Sequence, residues 1–213
     1  MENIRSKITS LGVIPVVAID DAKDALALGE ALIAGGLLCA EITFRTAAAE
    51  ESIQTLSRKF PEMLVGAGTV LTIDQAKKAV DGGAQFLVTP GFDEAVVTWS
   101  MTHEVPIFPG VATPTEINMA LRHGLKTLKF FPAEALGGVK TLKAIAAPYG
   151  DVRFIPTGGI NPQNLPDYLK LPAVVACGGS WLVKKTMIAN GEFNSITKLV
   201  REAVQLVRQS RSE

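Results

Sequence analysis

Eight short apolar runs recur along the chain, and their spacing constrains the fold more than any other feature. They occupy residues 13–19, 38–44, 64–68, 86–89, 106–108, 125–131, 152–156 and 174–177, one every roughly 20–27 residues. That interval is the length of one strand plus one helix. The runs are almost continuously apolar rather than alternating, as expected of strands covered on both faces. Between them lie helix signals. TIDQ (72–75) and TPTE (113–116) fit capping boxes, the second with Pro114 at the first helical position. Asn161-Pro162 repeats the cap-then-proline pattern, and Gly35-Gly36, Gly82-Gly83 and Gly124 stand where helices should end. The spacing of Ile196, Leu199, Val200, Ala203, Val204 and Val207 predicts a final helix. Ile4, Ile8 and Leu11 predict a short N-terminal helix across one end. The expected fold is therefore α/β: a small (β/α)8 TIM barrel with a short N-terminal helix, one domain over residues 1–213. An open doubly wound sheet is the alternative. It usually has fewer strands and often carries a glycine fingerprint after the first, whereas here that exit reads Ile19-Asp20-Asp21.

Composition narrows the function classes. Hydrophobic residues make up 47% of the chain, enough for a sizeable core. Lys+Arg and Asp+Glu are both 21, so the balance carries no footprint for nucleic acid or an anionic membrane. The opening MENIRSKITS lacks the apolar segment of a signal peptide, and no apolar run reaches the ~20 residues of a membrane span. Cys39 and Cys177 adjoin strand-like runs and read as reduced core residues. His103 and His123 are the only histidines, and neither HxxxH nor CxxC spacing occurs, so no metal site is expected. Both histidines are placed near helix C-terminal ends, where partial positive charge is favourable.

In such a barrel the chemistry gathers at the C-terminal ends of the strands. There, TLKFFPAE (127–134) sets Lys129 inside an apolar run. Side chains alternate along a strand, so with Leu128 and Phe130 facing the helices, Lys129 points inward. Burial disfavours the charged form of an amine, which makes it a usable nucleophile, and an amine that condenses with a ketone forms an imine, an electron sink for carbon–carbon chemistry. The competing reading is a structural lysine paired with Glu41. Glu41 and Arg45 share one side of the second run, with Cys39 one layer deeper. Arg45 could grip a substrate carboxylate in two-pronged fashion and Glu41 could shuttle protons; equally, they could form a plain rim ion pair. Thr69 could bond a substrate or only cap the next helix. PTGGI (156–160) and CGGS (177–180) put glycine pairs after the seventh and eighth strands, where they are expected to open helical segments whose N–H groups bind an anion, a frequent phosphate position in this fold, although glycines also mark ordinary turns.

Nearly the whole chain resembles the class I 2-keto-3-deoxy-6-phosphogluconate (KDPG) aldolases, which overlap with the 4-hydroxy-2-oxoglutarate (KHG) aldolases. The resemblance is densest in EITFRT, VGAGTVL, VTPGF, KFFPAEALGGVK, PTGGI and CGGSWLV. It implies a Schiff-base lysine at Lys129, a proton-transferring glutamate at Glu41, a carboxylate-binding arginine at Arg45 and a pyruvate-contacting threonine at Thr69. It also implies pocket walls at Pro90 and Phe131 and a phosphate site at Gly158, Gly159, Gly179 and Ser180. The activity implied is reversible cleavage of the phosphorylated keto-deoxy acid to pyruvate and glyceraldehyde 3-phosphate, with 4-hydroxy-2-oxoglutarate as a second substrate. A cytoplasmic homotrimer acting on small molecules, with no cofactor and no metal, is also implied. Three other readings stay open: an aldolase for the galactonate epimer, a phosphate-binding barrel isomerase or synthase without an imine, and a barrel that senses a phosphorylated metabolite.

Overall fold

The structure, a computed structural model, describes residues 2–212. Its strands are β1 (Val13–Val17), β2 (Cys39–Thr43), β3 (Leu64–Gly68), β4 (Phe86–Val88), β5 (Ile107–Phe108), β6 (Gly110–Val111), β7 (Thr127–Phe130), β8 (Arg153–Pro156) and β9 (Cys177–Gly179). All pairings between them are parallel. They form a mostly parallel α/β fold: a curled six-stranded sheet in the order β5-β4-β3-β2-β1-β9 and a three-stranded sheet in the order β6-β7-β8. Every residue of β1, β2 and β3 is buried, which accounts for the unbroken apolar character of β1 and β3 and leaves Glu41 and Thr43 of β2 as buried polar groups.

Two expected boundaries are corrected. The fifth run continues past residue 108 and divides at Pro109, which has no N–H to give to the ladder. Its carbonyl still accepts from the Lys129 N–H at 2.9 Å. The run at 174–177 supplies only a single bridge, Phe154 to Val174, before β9 begins at Cys177.

The helices are α1 (Glu2–Leu11), α2 (Ala25–Ala34), α3 (Ala49–Lys59), α4 (Ile73–Asp81), α5 (Glu94–Thr102), α6 (Pro114–Arg122), α7 (Gly138–Ala146), α8 (Leu165–Leu169), α9 (Lys185–Ala189) and α10 (Phe193–Ser212). Local chemistry sets their starts. At α6 the box is complete: the Glu116 N–H donates to Thr113 Oγ1 and the Thr113 N–H to Glu116 Oε2. At α4 the Thr72 hydroxyl accepts from the Gln75 N–H, but the returning Gln75 oxygen takes the N–H of Leu71, one residue early. His103 and His123 cap the C-terminal ends of α5 and α6, as expected.

The core has two layers. Leu128 and Phe130 belong to the larger one, between strands and helices. Ile14, Cys39, Leu64, Phe86, Phe108 and Ile155 form the inner one, and α1 lays the fully buried Ile8 on it. Arg211 of α10 fastens this end by donating to the carbonyls of Thr9, Ser10 and Val175.

Candidate active site

Strand parity brings Lys129 and Glu41 face to face inside the sheets. Their side chains are 6% and 4% exposed, and Lys129 Nζ stands 3.7 Å from Glu41 Oε1. That is contact distance for an ion pair but too long for a hydrogen bond. Glu41 Oε1 is buried and has no hydrogen-bond partner among the described residues. The same ammonium lies 5.1 Å from the centroid of the Phe131 ring, within reach of the aromatic face. Gly68 gives the carboxylate its space: a Cβ there would fall 2.1 Å from Glu41 Oε1. Beneath the pair, burial and then the Glu41 charge push the Cys39 thiol far above the usual range.

The other expected residues stand at or just after the C-terminal ends of neighbouring strands. Arg45 is exposed at the rim just beyond β2. Its Nε–H donates to Thr43 Oγ1 at 3.1 Å, and the Thr43 hydroxyl donates in turn to the Val17 carbonyl at 2.7 Å. The guanidinium is thus oriented by a buried threonine, and Glu41 is paired with Lys129; the plain Glu41–Arg45 ion pair is not the arrangement found. Thr69 follows β3 with φ +53°, an uncommon conformation for a β-branched residue. Pro90 is half-buried after β4, its carbonyl packed so close to Gly110 that a Cβ there would fall 2.2 Å from it.

Gly158 and Gly159 have φ of +99° and +82° and lie in a tight loop after β8. A Cβ on Gly158 would stand 3.3 Å from Phe131, so this loop abuts the wall of the lysine site. Thr157 bridges Gly178, joining the two glycine-bearing segments. Ser180 is exposed immediately after β9. The expectation that both glycine pairs open helices is corrected. Gly178 and Gly179 lie within β9, and α8 and α9 begin only at Leu165 and Lys185, each five residues long. Asn161 does not cap α8 either; its carboxamide oxygen accepts from the N–H groups of Gln163 and Asn164 in the turn before it. Any anion held here would meet loop amides rather than a helix end.

The KDPG and KHG aldolase profile matches residues 4–199. The chain belongs to that family. A 2-dehydro-3-deoxy-phosphogluconate aldolase of Treponema pallidum is 50% identical over 195 residues, covering 92% of this chain and 93% of its own. The crystal structure of KDPG aldolase from Legionella pneumophila, with pyruvate captured as a covalent carbinolamine, is 42% identical with a TM-score of 0.90. It covers 94% of this chain and 97% of its own. The KDPG aldolase of Zymomonas mobilis, solved with 3-phosphoglycerate, is 39% identical with a TM-score of 0.87 and covers 96% of each chain.

Within this KDPG and KHG aldolase chain, sequence reasoning passed over three buried threonines at strand ends. Thr43 orients Arg45; Thr89 donates to the Gly91 carbonyl at 2.6 Å and accepts from the Gly110 N–H; Thr157 touches Gly178. Each stands in one of the family-like motifs. Their signal was a hydroxyl at or just after the C-terminal end of an apolar strand. Among the described residues no group of three or more His, Cys, Asp or Glu side chains could hold a metal ion. No helix there is long and apolar enough to cross a membrane.

Proposed function

We propose that the chain cleaves 2-keto-3-deoxy-6-phosphogluconate reversibly to pyruvate and glyceraldehyde 3-phosphate through an imine on Lys129, and also cleaves 4-hydroxy-2-oxoglutarate to pyruvate and glyoxylate. The observation that carries this reading is the enclosed Lys129–Glu41 pair. Lys129 Nζ attacks the C2 carbonyl, giving a carbinolamine that loses water to the protonated imine. Glu41, directly or through one water, removes the proton of the C4 hydroxyl. The C3–C4 bond breaks, the aldehyde leaves, and the electron pair enters an enamine. Protonation at C3 and hydrolysis free pyruvate and restore the amine. Arg45 and Thr69 hold the substrate carboxylate, Pro90 and Phe131 wall the pocket, and Gly158, Gly159, Gly179 and Ser180 receive the phosphate. The carbinolamine in the Legionella relative and the 3-phosphoglycerate in the Zymomonas relative support both halves of this assignment.

The scaffold is a single domain over residues 1–213, in which the two sheets close into one eight-stranded barrel. In that barrel β5 and β6 are halves of one strand interrupted at Pro109. The Lys129-to-Pro109 hydrogen bond and the bridges at Phe154–Val174 and Thr157–Gly178 support closure. The working form is a cytoplasmic homotrimer, and sedimentation equilibrium returning a monomer mass would contradict it. Coupling pyruvate release to lactate dehydrogenase tests the activity. Wild type should release pyruvate from both substrates and Lys129→Ala from neither; substrate binding without release would refute the proposal.

A further inference from the structure

Glu134 follows Lys129 by five residues and is exposed, yet its carboxylate is not free. The phenol of Tyr168, a fully buried residue of α8, donates to Glu134 Oε1 at 2.5 Å, the range of a short charge-assisted hydrogen bond. The same residue braces the loop after β8. The N–H groups of Ala133 and Glu134 donate to the carbonyls of Thr157 at 2.8 Å and Gly158 at 3.0 Å. The Glu134 stem lies directly against Gly159, where a Cβ would fall 2.5 Å from Glu134 Cβ. The Gly159 carbonyl is held in turn by the carboxamides of Asn161 and Asn164. Each planar trans peptide turns the next N–H, of Gly158, Gly159 and Ile160 in succession, away from its own engaged carbonyl, so these N–H groups face away from the bonds that brace the loop and can receive an anion. A Glu134 carboxylate released from Tyr168 can swing past Gly159, which has no side chain to block it, toward those N–H groups, where it repels a phosphate.

We propose that Tyr168 and Glu134 are a positioning pair: the phenol tethers the carboxylate away from the anion-receiving loop and thereby sets the affinity for phosphorylated substrate. Losing the tether releases one negative charge beside the phosphate, and losing the charge makes the tether dispensable. The inference rests on the phosphate reading of the loop. Its test compares a phosphorylated and an unphosphorylated substrate across three variants. Tyr168→Phe should raise KM for 2-keto-3-deoxy-6-phosphogluconate about five- to tenfold through like-charge repulsion, with kcat unchanged and both constants for 4-hydroxy-2-oxoglutarate unchanged. Glu134→Gln keeps the acceptor oxygen and should not raise KM for either substrate. The double variant should return to the wild-type KM, a rescue that a merely structural tyrosine would not show. Equal losses on both substrates, no change on either, or no rescue would each overturn the proposal. Wild type inactive on both substrates would instead overturn the proposed function. Titration with inorganic phosphate would then decide the pair: weaker binding in Tyr168→Phe and restored binding in the double variant support it, and unchanged binding overturns it.

Discussion

Lys129 and Glu41 are held out of water together, so neither can be changed without leaving the other buried and unpaired, a cost of several kcal/mol in comparable pairs. Glu41→Gln keeps the shape and removes the proton acceptor. It should lower kcat by about 10²–10⁴ while the imine still forms, measured as single-turnover pyruvate release beside borohydride trapping. An unchanged kcat would assign the proton transfers elsewhere. A second residue-scale prediction concerns pH. Burial pushes the thiols of Cys39 and Cys177 up, and burial followed by the hydrogen bond to Glu134 pushes the Tyr168 phenol up. In each case the folded state disfavours the deprotonated, charged form. The stability they contribute is therefore complete below their unfolded values, about 8.5 for Cys and about 10 for Tyr, and is lost as pH rises beyond them. The denaturant midpoint should fall between pH 8 and 11, with both thiols unreactive toward a disulfide reagent until unfolding; a flat midpoint would contradict this. At this scale Lys129 was legible because a charge inside an apolar run demands an explanation. The Thr43 contact to the Val17 carbonyl was not, because the partner a short hydroxyl finds across a sheet depends on the neighbouring strand.

Element by element, the sequence marked where strands and helices lie, and departures occur where a single group breaks a pattern. Pro109 divides the fifth run because it lacks an N–H. The glycine pairs misled for a different reason. Glycine marks a position where backbone comes close or φ turns positive, and here it serves a strand against Thr157 and a loop against Glu134, not helix starts. The amphipathic spacing of Ile4, Ile8 and Leu11 correctly indicated a helix lying over the inner core. Ile8 is fully buried there, so Ile8→Ala should cost about 2–5 kcal/mol in denaturant unfolding. Because α1 meets the N-terminal ends of the strands, away from Lys129, kcat should stay within twofold. Lost activity in a still-folded Ile8→Ala protein would mean that α1 communicates with the reacting end.

For the whole molecule, the parallel sheets bring residues distant in sequence, from β2, β3, β7 and β8, to one end of the strands. That end places an enclosed amine beside a carboxylate, a tethered guanidinium at the rim and a loop of positive-φ glycines against the aromatic wall. An enzyme that holds a keto acid through its ketone, its carboxylate and its phosphate needs those groups in one chamber, and imine chemistry needs the amine shielded from bulk water. The most direct measurement is borohydride reduction in the presence of pyruvate, followed by intact mass and peptide mapping. A single reduced pyruvyl group on Lys129, absent from Lys129→Ala, is the predicted result. An adduct on the solvent-facing Lys126, or none at all from protein that releases pyruvate, would contradict the account.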